Sequence, residues 1–140
     1  MTTLFTRIIE GDIPGTFVWR DPECVAFMSI NPIRWGHVLV VPRTEVDHWL
    51  ECPRELFEHL VDVSRTIGAA QKQVFRPDRI GLIVAGFEVP HLHIHVVPAD
   101  GPADIDFANA AQSVDPADLE DAAASIRYVL RSQGLEQVSD

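Results

Sequence analysis

The chain has 140 residues, 46% of them hydrophobic, and a formal net charge of -10. That length and apolar content suffice for one compact domain with its own core, and exclude a peptide that depends on disulfide or metal staples. Residues 99–140 hold nine acids against Arg127 and Arg131, a net -7 that leaves -3 elsewhere, so neither part offers the basic face a polynucleotide needs.

Apolar residues at positions 4, 5, 8 and 9 of Leu4 to Gly11 have helical spacing, and Gly11 with Pro14 beyond it ends a short opening helix. Thr16 to Arg20 and Cys24 to Ile30 are β-rich runs around the turn-prone Asp21-Pro22-Glu23, a predicted hairpin. Gly36 to Pro42 is nearly all apolar and valine-rich, the pattern of a strand covered on both faces. From Pro53 to Phe75 apolar residues recur every three or four positions, which marks the main helix. Arg79 to Ala85 and His91 to Pro98 read as strands on either side of the link Gly86-Phe87-Glu88-Val89-Pro90. Gly101 to Pro116 is loop-like, and Ala117 to Leu130 reads as a closing amphipathic helix. The sum is an α+β fold: an antiparallel sheet of five strands, one long helix packed on it, and shorter N-terminal and C-terminal helices.

No run reaches the roughly 18 apolar residues of a membrane span, and the start of the chain lacks the charged and apolar regions of a signal peptide. A cytoplasmic protein with no membrane partner is expected. Cys24 and Cys52 form no Cys-x-x-Cys pair, so two buried or half-buried thiols are expected in place of a disulfide or cysteine metal site.

The most informative segment is His91-Leu92-His93-Ile94-His95-Val96-Val97. In an extended chain the three histidines share one face and Leu92, Ile94 and Val96 the other, with neighbouring imidazoles starting about 6.7 Å apart. Three adjacent imidazoles have no packing rationale, and each disfavours the charged form of its neighbours. Taken alone, His37 reads as a structural residue at a strand start; His48 and His59 read as surface or partly buried residues without a chemical role. Two designs fit the triplet. In one, the middle imidazole attacks phosphorus while its neighbours hydrogen-bond the phosphoryl group and protonate the leaving group. In the other, two of the histidines bind zinc with a further ligand such as His37.

The His-x-His-x-His run followed by two apolar residues resembles the signature of the histidine triad (HIT) family. Leu4 to Pro14 is similar to that family's N-terminal helix and turn, and Ala26-Phe27, Asn31-Pro32 and Gly36 to Pro42 to its core strands. The similarity covers residues 3–98, so that 1–98 reads as a HIT-like domain and 99–140 as an acidic C-terminal extension with a helix, part of the same domain. The resemblance implies a nucleoside phosphoramidase-like hydrolase or transferase, with no cofactor or metal, acting usually as a homodimer on a small phosphorylated, nucleotide-derived substrate. It implies that His93 is the nucleophile of a covalent nucleotidyl intermediate. It further implies that His95 assists the phosphate and leaving group, that His91 supports the site and that His37 completes it from a distant strand. Leu4, Phe5, Ile8, Phe27, Ile30 and Leu39 fall where the family lines its base pocket. Three positions depart from the pattern: Ser29 replaces an aspartate that grips the ribose hydroxyls, Phe87 replaces a glutamine, and Ala85 stands where an asparagine helps bind phosphate. Glu88 remains a polar residue near the phosphate. A non-catalytic module that holds a nucleotide or a partner protein, and a metal-dependent hydrolase, are the alternative readings.

Overall fold

Five β-rich segments pair side by side in the computed structural model, which describes residues 2–138. They are β1 (Phe17–Arg20), β2 (Cys24–Met28), β3 (Val38–Pro42), β4 (Arg79–Ile83) and β5 (Ile94–Ala99), in the spatial order β1-β2-β3-β5-β4 with every neighbouring pair antiparallel. The β1–β2 turn closes on Asp21, whose carboxylate accepts from the Glu23 and Cys24 N–H groups at 2.7 and 2.8 Å and from Trp19 Nε1 at 2.8 Å.

Alternation along the central strands decides what covers each face. Val38 and Val40 of β3, with Ile94 and Val96 of β5, bury against α2 (Arg54–Phe75) and α3 (Pro116–Ser132). Leu39 and Val41 point the other way and join Phe17, Val25 and Phe27 beneath Phe5 of α1 (Leu4–Ile9). Every residue of β3 is buried, as its unbroken apolar run predicts. The core stripe of α2 is Leu60, Val63, Ile67 and Ala70, and a fully buried Leu or Ile contributes about 1.5–3 kcal/mol. α3 lies in the same core through Leu119, Ala123, Ile126 and Leu130, and buried Arg127 donates from Nε to Phe17 O at 2.8 Å.

Two departures from the sequence reading concern the site. β5 begins at Ile94, not at His91, because His91 and Leu92 bond outside the ladder, their N–H groups donating to Val89 O at 2.8 Å and Val46 O at 2.6 Å. The stretch between β5 and α3 is not merely a loop but holds two 3-10 turns, Pro102–Ile105 and Phe107–Asn109. Cys24 is buried and Cys52 half-buried, and neither is in a disulfide. No helix among the described residues is long and apolar enough to cross a membrane.

Candidate active site

The side chains of Leu92, Ile94 and Val96 anchor the triad strand in the helix-covered core, which turns His91, His93 and His95 to the opposite face. His37 stands at the start of β3, after Gly36, which adopts φ +90°; a Cβ there would clash with the Phe75 ring. The pairing of Leu39 with His95 brings His37 to the triad, so that its Nε2 lies 2.9 Å from His95 Nδ1.

The hydrogen bonds assign the proton on each ring, because a neutral imidazole has one donor and one acceptor nitrogen. The Ile33 N–H donates to His37 Nδ1 at 3.1 Å, which makes Nε2 the donor of that ring. His37 Nε2–H therefore donates to His95 Nδ1, and the remaining proton of His95 lies on Nε2. His93 donates from Nδ1 to the His91 carbonyl at 2.7 Å, leaving its Nε2 lone pair unprotonated. His91 donates from Nε2 to Pro42 O at 2.7 Å and accepts at Nδ1 from the Thr3 hydroxyl at 2.6 Å. One face thus presents a lone pair on His93 beside an N–H donor on His95, with ring centroids 4.8 Å apart.

Burial holds all four rings neutral near pH 7. It lowers His37 to about 4, with help from His93, and His95 to about 3, with help from His93 and His37. His91 and His93 are also lowered by burial, against the opposing pull of carbonyl bonds and of the Glu45 and Glu88 charges respectively.

A cavity of about 400 Å³ opens onto His93, His95 and His37. Leu4, Phe5, Ile8, Phe27, Ile30 and Leu39 line it together with Ser29 and Glu88, so eight of the nine sequence-selected binding residues come together here. Phe87 is the exception. It does not line the cavity and is 97% exposed, the link having put Glu88 and Val89, not Phe87, at the wall. The Ser29 hydroxyl accepts from the Asn31 N–H at 3.2 Å and retains its own proton to donate. His91 lies behind the cavity, fully buried, and acts on it through its carbonyl.

Among the described residues, the group whose ligating atoms converge as a metal needs is Asp21, Cys24 and His59, away from the triad. His59 Nε2 lies 2.7 Å from Asp21 Oδ2, within the donor cluster around that carboxylate. His48 caps the 3-10 turn Trp49–Glu51 through its Nδ1.

Two parts of the site have no sequence motif. Thr3 caps α1, and its own N–H and the Thr6 hydroxyl both donate to Glu45, a chain that clips α1 onto His91 and sets Phe5 edge-on to His93 at 4.9 Å. Threonine before an apolar helix is a capping signal, but its second role needs the fold. Phe107, Ala110, Ala111 and Gln112 form a wall of the cavity, and Phe107 stands edge-on to His95 with ring centroids 4.8 Å apart. Its only sequence trace is Ile105 and Phe107 within an otherwise polar and Ala-rich stretch.

Comparison with known proteins adds three findings. The family model of the HIT domain matches residues 10–101. The chain is 32% identical to Protein hit of Bacillus subtilis over 139 residues, 92% of this chain and 94% of that one, and 27% identical to the adenylylsulfatase HINT3 of Arabidopsis thaliana over 68% of this chain and 51% of that one. Among solved structures, a Hit-like protein of Bartonella henselae involved in cell-cycle regulation superposes with a TM-score of 0.82 at 27% identity, covering 92% of this chain and 96% of that one.

Proposed function

Because the chain belongs to the HIT domain family, we propose that it hydrolyses or transfers a nucleotidyl group, breaking a phosphoramidate or phosphoanhydride bond through a covalent adduct on His93 Nε2. The observation that carries this reading is the proton assignment. The bond from His93 Nδ1 to the His91 carbonyl leaves a nucleophilic lone pair at the cavity, and the Ile33–His37–His95 chain sets a donor beside it. The adenylylsulfatase relative supports a nucleotidyl substrate.

In this mechanism the apolar wall of Leu4, Phe5, Ile8, Phe27, Ile30 and Leu39 takes the base, and the Ser29 hydroxyl donates to the ribose. His93 Nε2 attacks phosphorus while His95 Nε2–H bonds the group that departs. The resting rings carry one proton each, so the proton that leaves with an amine must enter with the substrate. The phosphoryl anion draws it onto the His95–His37 pair by raising their proton affinity. Water then attacks the phosphorus of the adduct, the P–Nε2 bond breaks, and the proton of the water returns to the pair.

The homodimer belongs to the same reading; β4 ends the sheet with Leu82 half exposed, and sedimentation measures the mass. Free thiols at Cys24 and Cys52 fit a reducing, cytoplasmic setting.

The test is incubation with adenosine 5'-phosphoramidate, an alkaline quench that spares phosphohistidine, and peptide mapping. The expected result is adenylyl on His93, and a loss of about 10³-fold or more in turnover for His93→Ala. Unchanged turnover in that variant overturns the mechanism; tight nucleotide binding without product makes the protein a binding module.

A further inference from the structure

We propose that Glu45, which does not line the cavity, is a positioning residue that holds α1 in place as a wall of the nucleoside pocket, so that this one carboxylate sets how tightly the site grips its ligand. The ligand is the nucleotide of the reading above, on which the proposal rests.

A helix of six residues does not hold itself, because forming its first turn costs more than so few bonds return. Among the described residues of α1, Phe5 is the one that is buried, and Leu4 is 44% exposed. The seat of α1 on the sheet therefore depends on polar anchors at its N-terminal end. Glu45 Oε1 accepts there from the Thr3 N–H at 2.8 Å and from the Thr6 hydroxyl at 2.6 Å, two bonds strengthened by the charge of the acceptor. Thr3 has one hydroxyl proton, and the 2.6 Å contact with His91 Nδ1 takes it in preference to the 3.2 Å contact with Thr6.

The same short segment after β3 also holds the triad. Val46, the next residue, accepts the Leu92 N–H at its carbonyl at 2.6 Å, so that residues 45 and 46 tie α1 and the approach to β5 together. Phe5 stands edge-on to both neighbouring rings, with centroids 5.7 Å from His91 and 4.9 Å from His93. Leu4, Phe5 and Ile8 are the share of the cavity wall that α1 supplies. Without Glu45 the Thr3 and Thr6 donors turn to water, and the wall that takes the base moves independently of the histidines that take the phosphate. A wall that the ligand must first order costs affinity. The chemistry is spared, because Pro42 O still accepts from His91 Nε2 at 2.7 Å and the His91 carbonyl still fixes the proton of His93.

The experiment measures adenosine monophosphate binding by calorimetry, and KM and kcat on adenosine 5'-phosphoramidate, for the full chain and its Glu45 and Thr6 variants. Glu45→Ala is expected to weaken binding and raise KM by about tenfold or more while kcat stays within about threefold. Glu45→Gln keeps an oxygen that accepts from the same two donors and should return affinity to within about threefold of wild type. Thr6→Val removes one donor and leaves the carboxylate; it should weaken binding in the same direction, and it decides the question should Glu45→Ala fail to fold. Wild-type affinity in Glu45→Ala and Thr6→Val, equal losses in Glu45→Ala and Glu45→Gln, or a fall in kcat as large as the rise in KM overturns the inference and leaves the His93 mechanism standing. The expected pattern of binding without turnover or a His93 adduct overturns the mechanism and leaves the inference standing. No binding of adenosine monophosphate by the wild type overturns the inference together with the nucleotide reading.

Discussion

At the scale of single residues, the chemistry of the site is an arrangement of protons. In the proposed mechanism His93 attacks only while Nε2 is unprotonated, and burial lowers its proton affinity below the ordinary histidine value. The pH dependence of kcat/KM reports the free enzyme. For a leaving group that departs without a proton, such as a phosphate, it should therefore be flat through pH 7 and fall only below about pH 6.5, where an unperturbed imidazole begins to charge. A midpoint at or above that value contradicts the assignment. Glu88 opposes the effect of burial on His93, so Glu88→Gln should move the acid limb to lower pH, and a shift to higher pH would count against the contact. The triplet itself was legible because an alternating histidine run has no packing purpose, whereas His37 alone reads as a structural residue and was joined to the site only by the family resemblance. Thr3 was not, because a hydroxyl that caps a helix and also bonds His91 shows only its first role in the sequence.

At the scale of elements, the two histidine-bearing strands are held in register from behind. Gln71 on α2 donates from Nε2 to Gly36 O at 2.8 Å and Val96 O at 2.9 Å, the residues beside His37 and His95. Gln71→Leu leaves both buried carbonyls without that donor, and a loss of about 1–3 kcal/mol is expected in urea denaturation, with a fall in kcat as His37 and His95 drift apart. Gly36→Ala should cost about 2 kcal/mol or more, since its positive φ disfavours an L side chain and the added Cβ meets Phe75. Stability equal to wild type in either variant would show that the register is set elsewhere. The sequence located all five strands and both long helices to within a few residues, because alternation and helical spacing survive in the composition of each segment. It overextended β5 toward His91, where Val46 and Val89 take the N–H groups that a ladder would have used. Gln71 escaped notice because a lone glutamine on a helix ordinarily reads as surface, and its burial follows only from where α2 lands.

For the whole molecule, the site imposes a cost on the fold that pH reveals. Four histidines are kept neutral by burial, each with a proton affinity lower in the folded chain than in the unfolded one. The unfolded chain therefore binds more protons below about pH 6.5. Stability is complete above that pH and declines as pH falls toward the folded values, about 4 for His37 and about 3 for His95. Each histidine contributes a slope of about 1.4 kcal/mol per pH unit while only its unfolded form titrates. Thermal unfolding should show Tm falling between pH 7 and pH 5. Calorimetry at pH 5.5, in buffers of different ionisation enthalpy, should find about two or more protons taken up per chain unfolded. Uptake near zero would mean that the rings are already charged in the folded state, and the His95–His37 proton assignment would fail with it. A bound nucleoside monophosphate should weaken this acid sensitivity, since its phosphoryl anion raises the proton affinity of the same rings. That coupling links the stability of the sheet to occupancy of the cavity through the protonation of His95 and His37, the rings joined between β5 and the start of β3.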